Sequence, residues 1–388
     1  MSVYLLNIAL IFIWAFFLLK YKPSKNKKKA FCAIACVQWV ILSGLRGMNV
    51  GADTIGYRRS FYRIGLTSWH RIFADVSDYI GGADIKDPGY AAVVKAFQTF
   101  STNYQAYLVF IALLFMIPMA IWIYRNSSMP CLSFIIFSTL FYSFYAVTGI
   151  RQTIATSLVV FIGYEFIKKK KPIPFLLLMF IAFFIHKSCI CFLPFVFFAH
   201  KKITWRYVGI FSAITAAFLI LGKTLYEPFA EFVGYDVEEE YMADTSSYVL
   251  VICLLTVSAF VLYRYIKKNT DEEKLKALYN AALFTTAFTL LTLRNQTFMR
   301  VQQYYALFLM LLVPEMVKAI DKKTPLVSVF RRCIVADCKA YIKPPVLRIL
   351  LAITRRYDMK IIWIVNMVFP KIAKKARSGD LRKRRLAA

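Results

Sequence analysis

Residues 3–29 read VYLLNIALIFIWAFFLLKYKPSKNKKK, seventeen residues without a charge followed by six lysines within ten positions. As a helix the uncharged run spans about 25 Å at about 1.5 Å per residue. That nearly crosses a hydrocarbon core of about 30 Å, and flanking lysines that snorkel to the interface supply the rest. Lysines gather on the cytoplasmic side of a span, so residues 20–29 are expected inside and the N-terminus outside. No basic region precedes the apolar run and no small-residue cleavage site precedes Lys20. The segment therefore reads as a retained signal anchor and not as a cleaved leader.

The same pattern repeats as far as residue 317 of the 388. Apolar windows lie at 3–19, 30–45, 107–124, 131–145, 153–167, 173–185, 188–199, 207–221, 249–263, 278–293 and 304–317, separated by charged breaks. The composition agrees, with 59% hydrophobic and only 18% charged residues, against about 45–50% and about 25% in soluble domains. The expected fold class is all-α, a polytopic integral membrane protein of about eleven transmembrane helices, with a GT-C-like architecture left open. The formal net charge is +29. Alternating sides from the first span, the inner segments hold 38 of the 50 basic residues, whereas the outer ones hold 12 basic and 12 acidic residues that cancel. The excess is thus topological. A nucleic-acid partner would account for the charge but not for the apolar windows, and none is expected.

Two domains follow: a membrane domain over 1–317 and a basic cytoplasmic tail over 318–388 with 19 basic and four acidic residues. The tail's apolar stretches are too short to span, so they are expected to lie as interfacial helices on anionic inner-leaflet lipid. The outer loop 46–104 carries Trp69, Phe73, Tyr79 and Phe97 among charges and is expected to form amphipathic helices on the outer leaflet. A second outer loop, 222–248, is strongly acidic. The eight cysteines form no outer-loop framework and no zinc pattern; neither a metal nor a cofactor is expected.

Charge at membrane depth is costly, about 2.5–3.5 kcal/mol on insertion scales, so its few instances are informative. Near the outer ends of the windows stand Arg46 and Asp53, then Asp87-Pro88-Gly89-Tyr90, then Arg151-Gln152, then His186-Lys187, and finally Arg294 and Arg300. Singly, each has an ordinary explanation: a snorkelling arginine, a capping histidine or aspartate, an Asp-Pro-Gly turn. Together on one side, four arginines suit a polyanion, because the planar guanidinium grips phosphate oxygens in pairs. An Asp or His beside them would serve as general base.

Four blocks resemble the EpsG family of bacterial polysaccharide-biosynthesis membrane proteins, which are similar in general design to Wzy-type polymerases. They are Leu45-Arg46-Gly47 with Val50-Gly51-Ala52-Asp53-Thr54 and Tyr57; Asp87-Pro88-Gly89-Tyr90; Ile150-Arg151-Gln152-Thr153-Ile154-Ala155; and His186-Lys187-Ser188 with Leu193-Pro194. The family often has Glu at the position of Asp87, and its pattern usually stops soon after the last helix, so the basic tail has no counterpart. The resemblance implies an enzyme of the bacterial cytoplasmic membrane that polymerises exopolysaccharide, capsule or O-antigen from polyprenyl-diphosphate-linked oligosaccharide. On that reading Arg46, Arg151, Arg294 and Arg300 would hold the diphosphate, with Asp53 and His186 as bases. Asp87, Tyr90, Tyr57 and Gln152 would shape the substrate site. A chain-length regulator or other export-complex protein would be a partner. The alternatives are a flippase of lipid-linked oligosaccharide and a non-catalytic component of an export complex. A flippase needs polar groups along its depth, where these windows have almost none.

Overall fold

Runs of Phe, Leu, Ile and Ala without turn residues favour helix. In the computed structural model of the chain, which describes residues 2–20, 24–221 and 246–320, the regular elements are all helical. The first apolar window is α1 (Ser2–Leu19), and α2 (Lys25–Gly44) follows. Ser24 caps α2 by accepting the Lys27 N–H at 3.2 Å. Four lysines in the first turn and a half oppose the helix dipole, so they do not stabilise the helix itself. The buried face of α2 recurs at three- and four-residue spacing through Cys32, Ala35, Cys36, Trp39 and Ser43, as an apolar stripe against a core should.

The region expected to be an outer loop contains α3 (Thr54–Leu66), α4 (Trp69–Ile80) and α5 (Pro88–Gln98). Then α6 (Tyr104–Asn126) begins at Asn103, whose side chain accepts the Gln105 and Ala106 N–H groups at 2.7 and 3.2 Å. A helix over Pro130–Ile136 continues through π turns at Phe137–Phe141 and Ser143–Val147 and is called α7 here. Gly149 ends it at φ +58°, a left-handed conformation that glycine adopts without steric cost. The reversal starts α8 (Ile150–Lys168), which carries a third π turn at Ser157–Ile162. Among the described residues, α6 and α8 are single helices long and apolar enough to cross a membrane, and α1, α7, α9 (Pro172–Ile185) and α10 (Trp205–Leu221) are shorter apolar helices. The remainder comprises α11 (Ser246–Val261), a short helix over Tyr263–Asn269, α12 (Glu272–Leu291), α13 (Thr297–Ala306) and α14 (Leu309–Ala319).

The window at 188–199 is not one helix. It folds as a 3-10 segment, Lys187–Phe192, and a single helical turn, Phe195–Phe198. Cys189, Cys191, Phe192 and Phe195 are buried there, so its hydrophobicity reflects packing inside the bundle. Hydropathy alone does not separate a buried segment from a span. Tyr305 donates to the Cys191 carbonyl at 2.6 Å, supplying a partner that regular helix would otherwise provide. The window at 304–317 is likewise interrupted, by a turn at Leu307 and Phe308 between α13 and α14.

The described residues fall into two units, one within 2–259 with 270–315 and the other of 260–269 with 316–320. Within the described part of the second, Lys318 Nζ donates to the Asn269 carbonyl at 3.4 Å. The first unit has two chemically distinct ends. At one, Lys28 donates to the Ser127 carbonyl (2.9 Å), Asn126 to Glu165 (3.1 Å) and Lys168 to Asn126 (2.9 Å). The opposite ends of α2 and α8 carry Ser43, Arg46 and Arg151. Most of the acidic loop, 222–245, and the tail, 321–388, lie outside the described residues.

Candidate functional site

Asp87 is where three distant blocks meet. It precedes α5 at φ +52°, a region that few residues besides Gly, Asn and Asp tolerate. Pro88 follows at the first helical position, where its missing N–H is not needed. The Asp87 side chain makes no capping bond to α5. Instead Oδ2 accepts Arg151 Nη1 at 2.7 Å and lies 3.2 Å from His186 Nδ1, while Oδ1 accepts the Lys187 backbone N–H at 3.2 Å. Burial pushes this carboxyl up. The His186 bond and charge, the Arg151 guanidinium and the Lys187 N–H outweigh it and hold the carboxyl below its ordinary range.

Arg151 stands in the first turn of α8, where the helix dipole disfavours a cation. Asp87 offsets this, and two aromatic faces assist: the guanidinium carbon is 6.0 Å from the Tyr57 ring centroid and 5.9 Å from that of Tyr90. The two rings meet edge to face at 5.8 Å. One quarter of the Arg151 side chain remains exposed, against 6% for Asp87. His186 closes α9, its backbone N–H donating to the Ala182 carbonyl at 2.8 Å. When Nδ1 carries the proton toward Asp87, the lone pair lies on Nε2, the tautomer a general base requires.

The close fit of α5 onto α9 sets this geometry. A Cβ added at Gly89 would lie 2.7 Å from Phe184 Cβ and 2.8 Å from the Phe184 carbonyl carbon. Backbone cannot swing aside as a flexible side chain can. Gly89→Ala is therefore expected to cost about 1–3 kcal/mol through overpacking, and to displace Asp87 from His186. The check is a lowered thermal midpoint together with an activity loss larger than the stability loss explains.

The other candidates are distributed around this cluster. Gln152 is buried and donates Nε2 to the Arg300 carbonyl at 2.6 Å, joining α8 to α13. That bond fixes the amide orientation, since a carbonyl only accepts; Gln152 Oε1 remains buried with no hydrogen-bond partner. Arg294 and Arg300 have exposed side chains, at the turn after α12 and on α13. Arg46 is buried, and its Nη1 donates to the Ser43 carbonyl at 2.7 Å and the Ala146 carbonyl at 3.4 Å. It thus meets carbonyls at the ends of α2 and α7, where unpaired acceptors and dipole favour a cation. Asp53 is exposed just before α3, makes no capping bond, and has no hydrogen bond or ion pair with the Asp87 cluster. Of the ten candidates, Asp87, Arg151, His186, Tyr57 and Tyr90 come together directly. The Lys187 N–H is an addition, and only its position next to His186 hinted at it. Arg151 offers a partly exposed cation on an aromatic platform, and His186 adds an imidazole oriented by a buried carboxylate. Such a site can hold an anionic oxygen and accept a proton.

The profile of the EpsG family matches residues 29–341, a stretch that includes all ten candidates and reaches into the first part of the basic tail, which was expected to have no counterpart. No curated protein and no solved structure matches the chain.

Proposed function

The chain belongs to the EpsG family, a membrane family with a polysaccharide-polymerase-like role, and from that premise we propose that it extends an exported polysaccharide from polyprenyl-diphosphate-linked repeat units. The observation that carries this reading is the Arg151–Asp87–His186 contact. A cation suited to a diphosphate oxygen and an imidazole suited to a sugar hydroxyl share one carboxylate. In the proposed reaction the acceptor hydroxyl attacks the anomeric carbon of the lipid-linked glycan. His186 Nε2 takes the hydroxyl proton as the new glycosidic bond forms. The bond from the anomeric carbon to the diphosphate oxygen breaks, and Arg151 stabilises the departing lipid diphosphate. Arg294 and Arg300 are proposed as further contacts to the anionic substrate, and Gln152 Oε1 as an acceptor for a sugar hydroxyl. Arg46 is assigned to positioning the turn that follows α2. Asp53 is the second proposed base, tested by whether Asp53→Asn retains activity.

His186→Gln keeps a hydrogen-bond donor toward Asp87 but removes the base, and chain extension should fall about a hundred- to ten-thousandfold with folding preserved. Full activity in that variant would remove His186 from the chemistry. In cells, loss of the protein should leave lipid-linked repeat units on the outer face of the cytoplasmic membrane. Accumulation on the inner face would instead identify a transporter.

A further inference from the structure

An open groove of about 690 Å³ runs along α9 beside the Asp87 cluster. Its wall is a stripe at helical spacing formed by Leu176, Met179, Phe180, Phe183 and Phe184, followed by Lys187, Ile190 and Leu193. From residue 176 to residue 184 the stripe measures about 12 Å at about 1.5 Å per residue. The end of α4 forms the opposite side, with the Tyr79 ring 6.1 Å from Phe183 and 5.8 Å from Phe184. Phe180 remains 63% exposed and Leu176 47%, so the groove presents apolar surface that the fold itself does not cover.

The chemistry changes abruptly at the mouth. Within three residues of Phe184 the chain supplies His186 and the Lys187 N–H, both joined to Asp87, which binds Arg151. Asp84 and Lys187 are the charged residues that line the groove; Arg151 does not line it and is paired with Asp87. An apolar groove with Lys187 on its wall, joined to the Asp87 cluster through the Lys187 N–H, suits a long hydrocarbon carrying an anionic head. Acyl tails are as apolar as an isoprenoid, so no hydrophobic force draws one from a bilayer in preference to the other. Selection must come from packing, and rigid aromatic walls suit a methyl-branched chain.

We propose that this groove seats the head-proximal isoprene units of a polyprenyl diphosphate and so aligns its diphosphate with Arg151. The identity of the head group rests on the polymerase reading; the groove's occupancy is tested without it. The full-length protein in phosphatidylglycerol vesicles is irradiated with a polyprenyl diphosphate bearing a diazirine on its second isoprene unit, and labelled peptides are mapped. Label should concentrate on residues 176–184 and the end of α4, and excess unlabelled polyprenyl diphosphate should abolish it. Leu176→Trp fills the groove and should reduce labelling at least tenfold. Leu177→Trp, on a residue 61% exposed that does not line the groove, should leave labelling unchanged and serves as the folding control. Equal labelling in the two variants, or label that unlabelled polyprenyl diphosphate does not displace, overturns the proposal and marks an ordinary lipid contact. Groove labelling by a protein that extends no polymer would retain the groove and reject the polymerase. Chain extension without groove labelling would reject the groove alone.

Discussion

Arg151→Lys should lower chain extension about a hundred- to a thousandfold, the usual effect of removing one group that stabilises developing charge, while the protein remains folded and inserted. Lysine retains the positive charge and can still meet Asp87 Oδ2, now 2.7 Å from Nη1, so the buried carboxylate keeps a partner. What it loses is the planar fork that binds two oxygens at once and the guanidinium's approach to the Tyr57 and Tyr90 rings. The loss should appear in the rate of extension with lipid-linked repeat units as both donor and acceptor. Arg151→Ala should be equally inactive but less stable, since it also strands the Asp87 charge. Near-normal polymer from the lysine variant would mean that Arg151 only holds the fold.

Asp87→Ala carries the largest expected stability effect. The carboxylate is nearly enclosed and bonded to a guanidinium, an imidazole and a backbone N–H. Removing one partner of a buried pair costs about 3–5 kcal/mol, because the other charge is left uncompensated. Asp87→Asn preserves shape and removes only charge, which allows a pH test. The folded-state pKa of Asp87 lies below its ordinary value, which is about 3.9 in an unfolded chain. The stabilisation is therefore fully present above about pH 4 and disappears as pH falls through the lower folded value. Thermal unfolding of wild type and Asp87→Asn should differ most near neutrality and converge only in acid. A gap of the same size from pH 3 to pH 7 would show that the charge at Asp87 contributes nothing.

Much of the helical layout was legible in hydropathy. The windows at 107–124 and 153–167 fall within α6 and α8, and the aromatic-charged stretch at 46–104 contains three helices. The 188–199 window is apolar and helical but broken into a 3-10 segment and a single turn, a break that hydropathy does not show. At the site, residue types were legible and pairings were not. Asp53 and Asp87 both lie in the stretch between the second and third apolar windows, and linear spacing does not reveal which carboxylate meets Arg151, 64 residues beyond Asp87. The Asp-Pro-Gly signature reads as a turn, but Pro88 and Gly89 open α5 and Asp87 stands just before it. Its left-handed aspartate and the fit of Gly89 against Phe184 are what aim the carboxylate at α8 and α9. Arg46 was legible as an unusual charge. Only the fold shows the two carbonyls that receive it, those of Ser43 and Ala146.

The most direct test uses purified full-length protein in vesicles, supplied with polyprenyl-diphosphate-linked repeat units, with glycan length measured over time. The wild type should lengthen the glycan and release lipid diphosphate in step with each bond formed, and Arg151→Lys should do neither at a comparable rate. No extension by folded, membrane-inserted wild type, or equal extension by both proteins, would contradict the assignment of polymer formation to this site.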